Sequence, residues 1–151
     1  MDAEYSEHWE RLRSAVDLML VNPDNEATPT HKISFEETYS AVYKCVCDHR
    51  SDQLYADLMA HVGGVVRDWR DRLNVVTNDP VAFVTGVDEC TAKFVRAIPV
   101  IVPIFAYMNR FYVVPKMGSD LQVVLINLYE EIITGPLVQD VISKPFCLVD
   151  E

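Results

Sequence analysis

Residues 34–49, SFEETYSAVYKCVCDH, read as one amphipathic helix that carries its own start signal. Ser34 stands just before an apolar-periodic run and Glu37 follows three residues later, the spacing of a capping box. In that motif the serine hydroxyl accepts the amide hydrogen of the glutamate and the carboxylate reaches back to the cap. Phe35, Tyr39, Val42 and Val46 recur at intervals of four, three and four residues, so they line one side of the helix. Tyr43 lies one turn beyond Tyr39 at the margin of that stripe. Glu36, Glu37, Ser40 and Lys44 mark the outer face.

The neighbouring stretches repeat the pattern. Upstream, residues 4–21 predict a first helix with Trp9, Leu12, Val16 and Met19 inward and Leu20 flanking, stopped by Asn22-Pro23 and a polar loop. Downstream, Arg50 and Ser51 break the organising helix and Ser51 is the expected cap of a third, over about 52–77. There Leu54, Leu58, Val62, Val65, Trp69 and Leu73 hold a helical spacing. Gly63-Gly64 inside it costs about 1 kcal/mol per glycine relative to alanine and marks either a kink or a close helix crossing. Asp79-Pro80 is a further start signal, with Asp79 as N-cap and Pro80 in the first helical position. Residues 81–113 keep a helical stripe through Phe94, Ile98, Ile101, Phe105, Met108 and Tyr112, with a kink or break expected near Pro103. A loop is expected over VVPKMGSD, ending in Ser119 or Asp120 as a cap. A last pattern places Leu121, Val124, Leu125, Leu128 and Ile132 inward, ends at Gly135-Pro136, and leaves Leu137 to Ser143 for a short additional helix. No stretch sustains the alternation of a half-buried strand, and the fold class is all-α.

A chain of 151 residues, half of them hydrophobic and 24% charged, has the length and composition of one globular domain with a real core. The formal net charge of −10 repels phosphate backbones and argues against nucleic acid as a partner. The longest apolar run, Ala97 to Tyr107, holds two prolines and is too short to span a bilayer, so no membrane role is expected. The N-terminal MDAEYSEHWE lacks the basic and apolar regions of a signal peptide. Four cysteines without such a signal imply a reducing compartment, cytosol or nucleus, and free thiols.

Little of the sequence points to chemistry. Cys45 and Cys47 diverge on a helix and cannot chelate one ion there. Cys45 and His49 are four residues apart, which makes at most half of a zinc site, so packed thiols are the favoured reading and no metal or cofactor is expected. His8, His31, His49 and His61 stand beside no nucleophile motif, and His61 reads as a hydrogen-bonded boundary residue. The five glycines form no phosphate-binding loop. Arg67, Arg70 and Arg72 alternate with Asp68 and Asp71, a mixed patch. The reading is a protein without catalysis. Tyr39, Tyr43, Tyr107 and Tyr112 remain. Tyrosine suits a surface that buries an apolar body while its hydroxyl stays wet, but an aromatic stripe is more often core. Tyr39 alone leans to core, and composition leaves the choice open.

The pattern S-F-E-E-x-Y-x-x-x-Y-K resembles the second helix of the cullin N-terminal domain, and the likeness extends over roughly Trp9 to Ile133. A tryptophan-led first helix, SFEETYSAVYK, DQLYADLMAHV and PIFAYMNRFYV occur in the order expected of a first cullin repeat plus the helix that follows it. The resemblance implies a cullin-repeat-like antiparallel bundle of five to six helices in a single domain over residues 1–151. In cullins, YLNR- or YMDR-like motifs mark a fifth helix that lies against the second, and the two form the groove that grips a BTB or Skp1-like adaptor. Carried over residue by residue, Phe35, Tyr39 and Tyr43 match the second-helix contacts. Tyr107, Asn109, Arg110 and Tyr112 match the fifth-helix motif, Tyr112 foremost. YSAVYKCVCDHRSDQLYADL and IVPIFAYMNRFYVVPK are closer still to one branch of the family, cell-cycle proteins that carry a cullin-type domain without the remainder of a cullin. That branch implies association with cyclin-dependent kinase 2 and promotion of its activity at the G1/S transition. The two further repeats and the RING-binding, neddylated C-terminal domain of a full cullin do not fit in 151 residues. This chain alone is therefore not expected to link a substrate to a ubiquitin-conjugating enzyme.

Overall fold

The computed structural model describes residues 2–21 and 34–136, and these are helical with no strand among them. The helices are α1 (Asp2–Val21), α2 (Phe35–Cys47), α3 (Ser51–Val75), α4 (Pro80–Ile104), α5 (Ala106–Met117) and α6 (Leu121–Tyr129, prolonged through Glu130–Thr134). The all-α expectation holds. The segment 22–33, and the short helix expected over Leu137 to Ser143, lie outside the described residues.

Local chemistry sets the starts. Ser34 Oγ accepts the Glu37 amide at 3.3 Å, Asp79 accepts from Ala82 at 3.2 Å with Pro80 behind it, and Asp120 accepts from Val123 at 3.0 Å. The capping box of α2 is only half formed. Among the described residues the Glu37 carboxylate makes no return bond, and the Thr38 hydroxyl instead donates to the carbonyls of Ser34 and Phe35. Ser51 is not a cap. The chain leaves α2 through a Schellman turn: His49 is left-handed at φ 60°, its amide bonds Val46 O, and the Arg50 amide bonds Cys45 O at 2.9 Å. Arg50 then receives the Leu54 amide and stands at the N-cap without a side-chain bond, which leaves Ser51 as the first helical residue. The same turn takes His49 out of the helix while Cys45 is fully buried, so the two form no i, i+4 pair.

The core is a layer of Leu12, Val16 and Leu20 from α1, Val42 and Cys45 from α2, and Leu54, Leu58, Val62 and Val66 from α3. Ile98, Ile101 and Ile104 of α4, Phe105, Met108 and Val113 around α5, and Leu121, Leu125 and Ile133 of α6 complete it. On α3 the fully buried valine is Val66, with Val65 half-buried. At the N-terminus the Tyr5 hydroxyl donates to the Asp57 carboxylate at 2.6 Å and pins α1 to α3. Burial first, then that bond, raise the Tyr5 pKa well above the ordinary tyrosine value.

Neither reading of Gly63-Gly64 applies. α3 runs unbroken through both, a side chain at Gly64 would meet open space, and the nearest atom to one at Gly63 is Arg67 Nη1 of the same helix, at 3.2 Å. The close approach between α3 and α4 is instead at Gly86, where a Cβ would fall 2.6 Å from Leu73 Cδ2. Gly64→Ala is expected to stabilise the fold by about 1 kcal/mol, read as a higher urea midpoint at unchanged slope.

α4 continues through Pro99 and Pro103 to Ile104, and the expected break follows at Phe105, where the axis turns by 74° into α5. No single helix among the described residues is long and apolar enough to cross a membrane. The loop expected over VVPKMGSD is mostly helix: α5 passes through a π turn, Asn109–Val113, and continues to Met117, closed by left-handed Gly118 at φ 73°. Nor do Gly135-Pro136 end α6, because Gly135 is right-handed helical at φ −57° after a second π turn, Glu130–Thr134. In both helices a proline, Pro115 or Pro136, stands two residues beyond the π turn. The widened turn changes the hydrogen-bond register where the proline's missing amide would interrupt it.

His61 is packed on α1 with its Nε2 buried, 3.5 Å from the Asp17 carboxylate and edge-on to Trp9 at 6.2 Å. That is too long for a strong hydrogen bond. Burial, the largest cause, lowers its pKa below the ordinary histidine value, with Arg13 acting in the same sense and Asp17 against it. The unfolded chain therefore takes up this proton first. Stability is expected to be level above about pH 6.5, the ordinary histidine value, and to fall as pH drops below it toward the folded pKa. His61→Gln should remove that part of the slope in urea titrations between pH 7.5 and 5.

Candidate partner-binding surface

On α2 the buried residues are Thr38, Ala41, Val42 and Cys45. They are mostly small, and they place the helix so that its largest side chains fall beside the core and not in it. Phe35 is 51% exposed and Tyr43 45%, with Tyr39 half-buried between them. The inner stripe read as Phe35, Tyr39, Val42 and Val46 is therefore rotated: only Val42 is fully inside.

α5 packs against α2 and continues the row. Phe35 and Tyr39 stack with ring centroids 5.7 Å apart. One turn on, Tyr43 meets Tyr107 of α5 edge-on at 4.8 Å, and Tyr107 meets Phe111 at 4.6 Å. The Arg110 guanidinium lies 5.4 Å over the Phe111 ring, a cation–π contact at the outer edge. The Tyr43 hydroxyl is hydrogen-bonded to the Cys47 thiol, which raises its pKa above the ordinary value. Five aromatic rings thus run across two helices, with Phe35, Tyr43 and Phe111 at least 45% exposed.

Sequence periodicity does not single out Phe111. From Met108 to Val113, both fully buried, the π turn inserts one extra residue, so Val113 takes the inner position expected of Tyr112. The same shift sets Phe111, 54% exposed, outward beside Tyr107. Such wide turns often mark functional sites, and the signal in the sequence was Pro115, which an unbroken α-helix would not carry.

The sequence model of the family described as "Cullin alpha solenoid domain" matches residues 9–150. The chain belongs to the cullin family. It is 33% identical over 126 residues to "CDK2-associated and cullin domain-containing protein 1" of Rattus norvegicus, an alignment that covers 83% of this chain and 35% of the rat protein. The chain thus spans about a third of the length of that curated relative. A cullin domain of this kind supports a scaffold-type, protein-binding role.

Within the cullin domain the remaining residues of the YMNR motif go elsewhere. Asn109 Oδ1 accepts the Leu121 amide at 2.7 Å and so satisfies an orphan donor in the first turn of α6. Tyr112 is half-buried against Tyr55 of α3 at 5.8 Å, away from the aromatic row. The structure therefore brings together Phe35, Tyr39, Tyr43, Tyr107 and Arg110, adds Phe111, and assigns Asn109 and Tyr112 to contacts inside the domain. Among the described residues no three His, Cys, Asp or Glu side chains stand together as a metal site. Cys45 is buried, with its pKa pushed up to about 11 chiefly by desolvation; Cys47 is exposed, and Cys90 is half-buried.

Proposed function

We propose that this cullin domain is a non-catalytic protein-binding module that associates with a cyclin-dependent kinase and promotes its activity at the G1/S transition, in cytosol or nucleus. The observation that carries the reading is the row of exposed aromatic rings on α2 and α5, for which packing of the domain gives no reason. Tyrosine, phenylalanine and arginine held in one place are the residues that anchor protein interfaces. The rat relative, whose printed name is "CDK2-associated", supports the choice of kinase.

A second reading is favoured by the position of the row, because α2 and α5 are the pair that the cullin resemblance assigns to adaptor docking. On that reading the domain takes a BTB or Skp1-like adaptor and joins or competes with ubiquitin-ligase assembly. Calorimetric titration separates the two. The full chain is titrated with cyclin-dependent kinase 2 alone and with a cyclin, a BTB adaptor, a Skp1-like adaptor and an elongin pair. Micromolar binding of the kinase, with increased kinase activity, is the expected result. Binding of an adaptor alone would replace the first reading with the second, and silence from every member would overturn both.

A further inference from the structure

We infer that the partner of the α2–α5 face presents carboxylates beside the apolar pockets that take the aromatic rings. This rests on the docking role proposed above and adds the chemistry of the partner. The chain is strongly acidic, but its acids are unevenly placed. From Cys90 to Ser119, thirty residues contain Lys93, Arg96, Arg110 and Lys116 and not one Asp or Glu, while the other nine basic residues are set against all 23 acids. This stretch is the second half of α4 and the whole of α5, the helix that supplies Tyr107 and Phe111.

Within it Lys93 is occupied, with its ammonium 5.9 Å over the Trp69 ring of α3. Arg110 is exposed at the row itself, over Phe111, and Lys116 is exposed in the last turn of the same helix. Among the described residues neither forms an ion pair. Val114, one turn beyond Arg110, and Met117 are each 44% exposed, so α5 offers apolar contact and unneutralised positive charge together. An acidic protein repels an acidic partner everywhere except at such a place. Local charge of the opposite sign then both raises the encounter rate and fixes the docking orientation. At the α2 end Glu36 and Glu37 flank Phe35, so the face is polarised, and the partner's carboxylates belong opposite α5.

The test uses the tightest binder among the kinase and adaptor proteins above, titrated at 50 and 500 mM NaCl. The domain is compared with Arg110→Glu, with Phe111→Ala and with Arg67→Glu, an exposed reversal on α3 that changes net charge equally. Arg110→Glu is expected to weaken binding at least about tenfold at 50 mM and Arg67→Glu less than about twofold. The gap should close at 500 mM, as the screening length falls from ~14 to ~4 Å. Equal effects of the two reversals, with Phe111→Ala still weakening binding, would overturn the charge inference and leave the docking face standing. Unchanged binding by Phe111→Ala as well would overturn the docking face. Thermal unfolding of Arg110→Glu at the wild-type temperature excludes a folding effect.

Discussion

Phe105→Ala is expected to cost about 3–5 kcal/mol of stability, the largest effect of any single truncation proposed for this domain. Its ring is fully buried, and it stands at the joint where α4 turns by 74° into α5. Three backbone contacts meet at this residue. Its amide bonds Val102 O at 3.1 Å and, more weakly, Ile101 O at 3.4 Å, while its carbonyl receives the Asn109 amide at 2.9 Å and so begins α5. The ring fills the angle that two non-collinear helices leave between them, and backbone rigidity at the joint keeps that space from collapsing when the ring is removed. The transfer and cavity terms therefore add. Urea unfolding followed by circular dichroism measures the effect, and a loss below about 1 kcal/mol would show that the joint relaxes and that the ring is not what sets the bend.

The same joint shows where sequence reasoning succeeded and where it could not. Pro103 forecast the bend, and Ser34, Asp79, Pro80 and Asp120 forecast helix starts to the residue, because those signals are local: one side chain, one amide, a fixed spacing. The inward stripes of α1 and most of α3 were legible for the same reason. The failures share one cause, a change of register. Periodicity assumes about 3.6 residues per turn, and one added residue at Asn109–Val113 moves Val113 inward, Tyr112 to the margin and Phe111 to the surface. A second π turn carries α6 past the Gly135-Pro136 that reads as its end. On α2 the error is of a different kind. Ranking by hydrophobicity places Phe35 and Tyr39 inside, whereas the space against α1 and α3 admits only Thr38, Ala41, Val42 and Cys45. The aromatic row of the candidate surface is the residue of that mismatch, and only packing reveals it.

That mismatch gives the second large effect. Tyr43→Ala and Phe111→Ala are each expected to weaken binding of the partner at least about thirtyfold, about 2 kcal/mol, the scale of an interface hot spot. Each should leave the unfolding free energy within about 1.5 kcal/mol, since the loss is one ring contact on an exposed face. Asn109→Ala should do the reverse. Its side-chain oxygen serves the Leu121 amide at the start of α6, so its removal costs about 1–2 kcal/mol of stability. Binding measured well below the unfolding temperature should then change little. A motif that a sequence reader treats as one unit thus divides by function: Tyr107 and Arg110 face a partner, Asn109 holds two helices together, and Tyr112 closes the α3 side. Were Asn109→Ala to abolish binding in a domain that remains folded, the asparagine would belong to the surface and this division would be wrong. If Tyr43→Ala unfolded the domain, the row would be core, and the docking face would have to be sought elsewhere.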